Sequence, residues 1–187
     1  MKPKRIAITG GPGSGKTSIV NELETNGFYC FHEIIRTMTM QAKKQENEKE
    51  FSTNPLAFVS DPYQFNQKIL QGRITHFEEG AANKGDVVFY DRGIPDVLAY
   101  MDYFSQPYEA YFEKACEAHR YDMVLIVPPW KEIYISDNER LESYEEALQI
   151  HRHLEDTYSK YGYQAVVIPK GTVAERTAFV LNQLKLV

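Results

Sequence analysis

The sequence has 187 residues, of which 43% are hydrophobic and 25% are charged, and these values are ordinary for a globular protein. A net charge of −5 argues against a nucleic-acid-binding surface, and two cysteines, Cys30 and Cys116, are too few for a disulfide framework. No apolar run approaches the roughly 20 residues of a membrane span, and the five-residue apolar run near the start of the sequence leads us to expect no signal peptide. We therefore expect a soluble, cytoplasmic protein with two buried free thiols, binding neither nucleic acid nor membrane.

The first predicted element is a strand that leads through a glycine-rich loop into a helix. Residues 5–9 form a short apolar run, and residues 18–26 carry apolar side chains at helical spacing. Between them, residues 10–17 fit G-x-x-x-x-G-K-[ST] without a departure. In this arrangement backbone N–H groups and the helix N-terminus bind phosphates, Lys16 reaches the outer phosphates, and the Thr17 hydroxyl binds Mg²⁺. The sequence predicts a site for a nucleoside triphosphate with Mg²⁺, built from Gly11, Pro12, Gly13, Ser14, Gly15, Lys16, Thr17 and Ser18.

A second short strand is predicted at residues 28–31, and it places Glu33 at its carboxyl end. Ligands of open α/β sheets lie at this end of the strands, so we expect Glu33 near the phosphates. A hydroxyl acceptor needs a carboxylate within reach of its proton, which makes Glu33 the candidate general base. The alternative is a surface glutamate that the helix dipole favours at the start of a helix predicted over residues 33–49.

A helix is predicted to begin at Asp61-Pro62, where the aspartate is the N-cap and the proline is the first helical residue, and to end near Gly85. Residues 86–91 then form a strand of four apolar residues that ends in a carboxylate, the pattern known as Walker B. We expect this strand beside the phosphate-loop strand, with Asp91 directed to the Mg²⁺ shell. An ordinary buried strand closed by an aspartate is the alternative, and the intact loop upstream favours the functional interpretation. Thr17 and Asp91 are therefore the predicted metal ligands.

Arg92 directly follows the predicted metal carboxylate, where its planar fork suits the γ-phosphate or the acceptor. A structural ion pair is the alternative for this side chain. Residues 94–104 are predicted to form the next helix, and another begins at residue 107. A continuous apolar run at residues 123–127 predicts a buried parallel strand.

The segment of residues 130–143 has no clear periodicity, and its position after the fourth strand predicts a mobile lid over the phosphates. Arg140 would enter the site from this lid, although a solvated arginine is the alternative. A helix over 143–161, a strand over 164–168 and a helix over 172–184 complete the chain. Alternating strands and helices predict one α/β domain over residues 1–187, with a five-stranded parallel sheet flanked by helices in three layers.

These motifs resemble those of small P-loop nucleoside and nucleotide kinases. The segment of residues 91–100, DRGIPDVLAY, and the overall layout are similar to a family of AAA-domain ATPases related to nicotinamide riboside kinase and deoxynucleoside kinases. The resemblance implies a P-loop NTPase fold of the nucleoside-kinase type. A large AAA+ ATPase would need a helical C-terminal domain beyond these 187 residues, so we expect the AAA-domain likeness to indicate superfamily membership only. The predicted lid departs from deoxynucleoside kinases, which usually have an arginine-rich lid, because Arg140 is its one arginine.

The predicted function is transfer of phosphate from Mg-ATP to a small nucleoside-like metabolite, with GTP still open as the donor. Glu33 would accept the proton, while Arg92 and Arg140 would neutralise the developing charge beside Lys16 and Asp91. The alternative is an ATPase or a nucleotide-dependent switch that a protein partner reads. The sequence also leaves open whether the protein forms a homodimer. Four further side chains are candidates for ligand contacts, with helix-surface or core roles as the default: Arg36, Gln67, Arg73 and Trp130.

Overall fold

The computed structural model describes residues 2–35, 61–134 and 142–186. Strands and helices alternate along these ranges, as the sequence predicts. The elements are β1 (Lys4–Thr9), α1 (Lys16–Thr25), β2 (Tyr29–Phe31), α2 (Pro62–Gly80), β3 (Val87–Asp91), α3 (Pro95–Tyr103), α4 (Ala110–Ala118), β4 (Met123–Ile126), a 3₁₀ turn (Lys131–Ile133), α5 (Tyr144–Lys160), β5 (Val166–Val167) and α6 (Val173–Gln183).

The five strands form one parallel sheet in the order β2-β3-β1-β4-β5, which confirms the predicted sheet. The phosphate-loop strand β1 lies beside β3, with Ile8 opposite Asp91 in the register. Because all strands run in one direction, their carboxyl ends lie along one edge. This edge brings together the loop after β1, Glu33 after β2 and Asp91 at the end of β3.

Helices cover both faces of the sheet, so the molecule has the three predicted layers. Ile6 and Ile8 of β1 pack with α1 and α6 on one face. Ala7 faces the opposite way and packs in the core formed with α2, α3, α4 and α5. This separation follows from the alternation of side chains along a strand. Cys30 and Cys116 are buried, free thiols, one in each core.

Three helix starts have side-chain caps, and one of them, Asp61, is the cap that the sequence predicts. Asp61 accepts hydrogen bonds from the backbone N–H groups of Tyr63 and Gln64, both at 3.0 Å. Ser143 and Thr172 each form a capping box with a glutamate three residues later. These local hydrogen bonds stabilise the first turns of α2, α5 and α6.

Element ends differ from the predictions where tertiary context decides them. Helix α2 ends at Gly80 and not near Gly85, since i→i−3 hydrogen bonds from Ala81 and Ala82 tighten its last turn. Helix α4 begins at Ala110 and not at residue 107. Within the described residues, the edge strand β5 pairs with β4 alone and is limited to Val166–Val167. Of the helix predicted over 33–49, residues 34–35 are helical and the rest lies outside the described residues.

None of the helices in the described ranges is both long enough and apolar enough to cross a membrane.

Candidate active site

The loop between β1 and α1 passes very close to its neighbours, which explains its glycines. A Cβ atom at Gly10 would lie 2.5 Å from the carbonyl oxygen of Val127. Gly15 has φ 84°, and a Cβ atom there would lie 2.8 Å from Nη1 of Arg176. Gly15 is also the N-cap of α1, and no side chain of the described residues caps this helix start. The N–H groups at the N-terminus of α1 therefore suit an anion.

Lys16 is the first residue of α1 and is folded back over its own loop. Its side chain is 6% exposed, and Nζ donates to the carbonyl oxygens of Gly10 and Gly11, both at 2.8 Å. Burial, together with the positive charge of Arg92, lowers the pKa of Lys16 to about 7. The ammonium group thus lies within the loop that the sequence predicts to bind phosphates.

The two predicted metal ligands lie side by side. The Thr17 hydroxyl donates to Oδ2 of Asp91 at 3.4 Å, while Asp91 Oδ1 is buried with no hydrogen-bond partner among the described residues. Burial and the negative charge of Glu33 raise the pKa of Asp91. Mg²⁺ prefers oxygen ligands and is usually held by one or two carboxylates together with phosphates and water. The pair therefore fits Mg²⁺, although the described residues contain no cluster of three or more His, Cys, Asp or Glu side chains suited to a metal.

Glu33 lies between two arginines at the carboxyl end of the sheet. Its Oε1 accepts from Nη2 of Arg73 at 3.2 Å, and its Oε2 pairs with Nε of Arg92. Arg92 Nη1 also lies 3.5 Å from the Gly10 carbonyl oxygen of the loop. The structure thus brings Glu33 and Arg92 together with the phosphate loop, and Arg92 forms the ion pair that the sequence left as its alternative.

The default surface role is wrong for Arg73. This residue lies in the middle of α2, its side chain is 6% exposed, and Nη1 donates to the Gly93 carbonyl oxygen at 2.7 Å. Gln67, by contrast, donates to the Tyr111 hydroxyl at 2.7 Å on the outer side of α2 and α4. Of these two candidates, the structure therefore places only Arg73 at the site.

Asp96 is a buried carboxylate of the site that sequence reasoning missed. Its side chain is 0% exposed and accepts four hydrogen bonds, from Thr9, Arg92, the Gly93 N–H and Tyr158. Burial by itself would raise the pKa of Asp96, but the charges of Arg73 and Arg92 lower it overall. The carboxylate is therefore ionised and fully bonded.

A small cavity is lined by Asp91, by both arginines and by aromatic side chains. The ring of Phe31 stacks with the rings of both His76 and Tyr90, with centroid distances of 4.6 Å and 5.2 Å. The cavity has a volume of about 10 Å³, which is room for about one water molecule.

Arg176 on α6 is a second functional candidate that sequence reasoning missed. Its Nη1 donates to the Ser14 carbonyl oxygen at 3.1 Å, and its side chain is 4% exposed. The guanidinium carbon lies 5.9 Å from the ring centroid of Trp130. The C-terminal helix therefore contacts the phosphate loop, and Trp130 lies next to this contact.

The beginning of the predicted lid lies against the phosphate loop. A Cβ atom at Gly13 would lie 2.5 Å from the ring of Tyr134, just after the 3₁₀ turn. Arg140 and Arg36 lie outside the described residues. Of the remaining loop residues, Ser14 donates from its hydroxyl to the Gly11 carbonyl at 2.9 Å, Pro12 is half-buried, and Ser18 is exposed in the first turn of α1.

A parallel sheet with a phosphate loop after β1 and an acidic residue at the end of the adjacent strand defines a P-loop NTPase fold. The chain belongs to a family described as AAA domain, whose family model matches residues 5–176. The resemblance to this family stated from the sequence is confirmed. No curated protein matches the chain in sequence.

Solved structures similar to this chain include several P-loop kinases. A deoxyadenosine kinase from M. mycoides is 16% identical with a TM-score of 0.67, covering 98% of this chain and 100% of that one. NadR protein in complex with NR is 19% identical with a TM-score of 0.71; the match covers 96% of this chain and 51% of NadR. Thymidylate kinase from Ehrlichia chaffeensis is 15% identical with a TM-score of 0.63, covering 98% and 100%. The fold is that of the nucleoside and nucleotide kinases.

Proposed function

We propose that the protein is a cytoplasmic, ATP-dependent kinase that phosphorylates a hydroxyl group of a small, nucleoside-like metabolite. The observation that carries this proposal is the position of Glu33. Its carboxylate pairs with Arg92, which in turn contacts the phosphate loop at Gly10. A base, a phosphate-binding arginine and a phosphate loop at one sheet edge are the parts that phosphoryl transfer requires.

The phosphate side of the reaction would be held by the loop and by positive side chains. The N–H groups at the start of α1 would bind the phosphate oxygens, with Lys16 moving from the loop carbonyls to the phosphates. Thr17 and Asp91 would hold Mg²⁺, which neutralises charge on the phosphate oxygens when it is bound. Arg92 would stabilise the negative charge on the transferred group.

The acceptor side would use Glu33 as general base. A carboxylate has about four acceptor positions, and the two arginines use one position on each oxygen. The remaining positions suit a hydroxyl of the acceptor, whose proton Glu33 would take as the oxygen attacks phosphorus. The two guanidinium groups keep the carboxylate in a fixed orientation, which reduces the reorganisation that the reaction needs.

Two observations support a nucleoside-like acceptor. The cavity next to Asp91 is lined by Phe31, His76, Tyr90 and Tyr121, whose rings suit a planar ligand once the cavity opens. Among the similar structures are kinases named for deoxyadenosine and for thymidylate.

An ATPase or a nucleotide-dependent switch is the second candidate. The cavity next to Asp91 has a volume of about 10 Å³, which is room for about one water molecule of the kind that hydrolysis requires. In such a protein Glu33 would position the attacking water, and a protein partner would read the change after hydrolysis.

Glu33→Gln distinguishes the two candidates, because the variant keeps size and polarity but loses the base. Wild type is first screened with nucleosides, nucleotides and vitamins for acceptor-dependent ADP release. For a kinase, Glu33→Gln should retain nucleotide binding and slow background hydrolysis, while acceptor phosphorylation falls by about 10²- to 10⁴-fold. Glu117→Gln, on the exposed surface of α4, is the matched control.

Full acceptor phosphorylation by Glu33→Gln would refute the catalytic role of Glu33. Loss of basal hydrolysis in this variant, with no acceptor found in the screen, would identify the ATPase.

A further inference from the structure

We propose that Asp96 is the positioning residue of Arg92, fixing both its backbone turn and its guanidinium group relative to the phosphate loop. The importance of Arg92 for phosphoryl transfer rests on the proposed function, whereas the positioning itself is a property of the fold. Asp96 lies in the first turn of α3, four residues after Arg92, and is 0% exposed.

The backbone turn at Arg92 requires support because its conformation is unfavourable. Arg92 has φ 77°, a left-handed conformation that costs energy for a residue with a side chain. Asp96 Oδ2 accepts from the N–H of Gly93 at 2.9 Å, and the Gly93 carbonyl accepts from Arg73 at 2.7 Å. The residue after Arg92 is thus held on both sides, and Asp96 supplies one of these bonds.

Besides its 3.5 Å contact with the Gly10 carbonyl oxygen, the guanidinium group of Arg92 is held by two carboxylates and an aromatic ring. Nη1 pairs with Oδ1 of Asp96 at 3.3 Å, and Nε pairs with Glu33. The guanidinium carbon also lies 5.2 Å from the ring centroid of Tyr100. Glu33 is the proposed base and Tyr100 contributes a neutral ring, so Asp96 is the charged contact that the proposed chemistry does not use.

Asp96 is itself anchored to two elements that surround the loop. Its Oδ1 accepts from the hydroxyl of Thr9, the last residue of β1, at 2.7 Å. Its Oδ2 accepts from the hydroxyl of Tyr158 on α5 at 2.6 Å, in the fully buried core. Thr9 directly precedes the phosphate loop, so Asp96 fixes Arg92 in the same frame as the phosphates.

The four bonds also limit what Asp96 can do. A carboxylate has about four acceptor positions, and Thr9, Arg92, Gly93 and Tyr158 occupy all of them. Asp96 therefore has no position left for a substrate proton. Its effect on the reaction is exerted through Arg92.

The decisive measurement is hydrogen exchange, followed by ¹⁵N NMR, at the two groups of this turn that donate to Asp96: the guanidinium Nη1–H of Arg92 and the backbone N–H of Gly93. The Arg92 signal is assigned by its loss in Arg92→Lys. In Asp96→Asn an amide NH₂ group replaces one carboxylate oxygen, so the hydrogen bond from Arg92 or the one from Gly93 is lost. We expect exchange at the group that loses its bond to become at least about tenfold faster. Asp102→Asn, on the exposed side of the same helix, should exchange at the wild-type rate. Wild-type exchange at both groups in folded Asp96→Asn would overturn the proposal, whatever its stability.

If Asp96→Asn does not fold, the double variant Thr9→Val/Tyr158→Phe replaces it. This variant keeps the carboxylate but removes two of its anchors, and the proposal again expects faster exchange at Arg92. Unchanged exchange in the double variant would overturn it.

A kinetic cycle tests the consequence for catalysis. With an acceptor identified, Asp96→Asn should lower kcat/KM by about 10- to 100-fold, the range expected for hydrogen bonds to charged groups. In an Arg92→Gln background the same substitution should change kcat/KM less than about twofold, because its effect passes through Arg92. Additive losses would overturn the proposal. If no acceptor is found, the hydrogen-exchange measurement still tests whether Asp96 positions Arg92. Failure of the kinase proposal can therefore be distinguished from failure of the positioning proposal.

Discussion

The charge state of Lys16 should make nucleotide binding depend on pH. In the free protein, burial and the charge of Arg92 lower the pKa of Lys16 from 10.5 to about 7. Bound phosphates would favour the ammonium form, so above about pH 7 the protein must take up a proton in order to bind. Affinity should then fall about tenfold per pH unit, because one unit corresponds to about 1.36 kcal/mol. At about pH 9, two units higher, the loss is about 100-fold, or about 2.7 kcal/mol.

Calorimetry with ADP over about pH 6 to 9 measures this loss, and buffers with different ionisation enthalpies count the protons taken up. Lys16→Met should bind ADP weakly, and its affinity should lack the part of the pH dependence that comes from protonation of Lys16. The nucleotide ionises equally in both titrations, so the difference in slope belongs to Lys16. Lys114→Met, on the exposed face of α4, should keep the wild-type slope. Equal slopes for wild type and Lys16→Met above about pH 7 would refute the reasoning.

The same pKa shift has a second consequence, for the stability of the free protein. The pKa of Lys16 is lower in the folded state than its ordinary value of 10.5, so the unfolded chain binds more protons between about pH 7 and 10.5. The contribution of Lys16 to the free energy of unfolding therefore rises with pH across this window. Urea denaturation should show Lys16→Met to be more stable than wild type near pH 7, with a smaller difference at higher pH.

Further predictions concern the metal, the loop, the thiols and the core. Asp91→Asn should shift the Mg²⁺ titration of triphosphate binding to higher concentration, and an unchanged titration would remove Asp91 from the metal shell. Gly15→Ala should abolish nucleotide binding in a folded protein, since its Cβ would lie 2.8 Å from Arg176 at φ 84°; wild-type affinity in calorimetry would contradict this. Burial raises the pKa of Cys116 to about 12, so labelling by a thiol reagent near pH 8 should be slow until urea unfolds the chain. Leu98→Ala, at a 0% exposed position, should lower the free energy of unfolding by about 2–5 kcal/mol in urea titrations.

Local signals predicted the loop, the sheet and the starts of α2, α5 and α6 well. The phosphate loop is one contiguous motif, and the caps at Asp61, Ser143 and Thr172 bond to residues two or three positions away. The neighbourhood of Thr17 and Asp91 followed from the expectation that β3 lies beside β1. In each of these cases the partners are close in sequence or fixed by the topology of the sheet.

The buried charges were missed because their partners come from distant parts of the chain. Asp96 bonds to Tyr158, 62 residues away, and Arg176 to Ser14, 162 residues away. One signal was nevertheless present. Arg73 lies four residues from both Ile69 and Phe77, on the face of α2 that packs in the core. A charged residue within an apolar helical stripe indicates a buried ionic contact. Assigning Arg73 to the helix surface by default disregards this signal.

The hydrogen bond from Arg176 to Ser14 has a consequence for how the protein is made. The two residues are 162 positions apart, and ribosomes add about 5–20 residues per second. The phosphate loop is therefore synthesised about 8–32 s before the side chain that supports its Ser14 carbonyl. A nascent chain that ends before α6 lacks this contact, as well as the packing of Val180 and Leu181 behind α1. Nucleotide should accordingly bind late in translation, after the last helix has docked on the first.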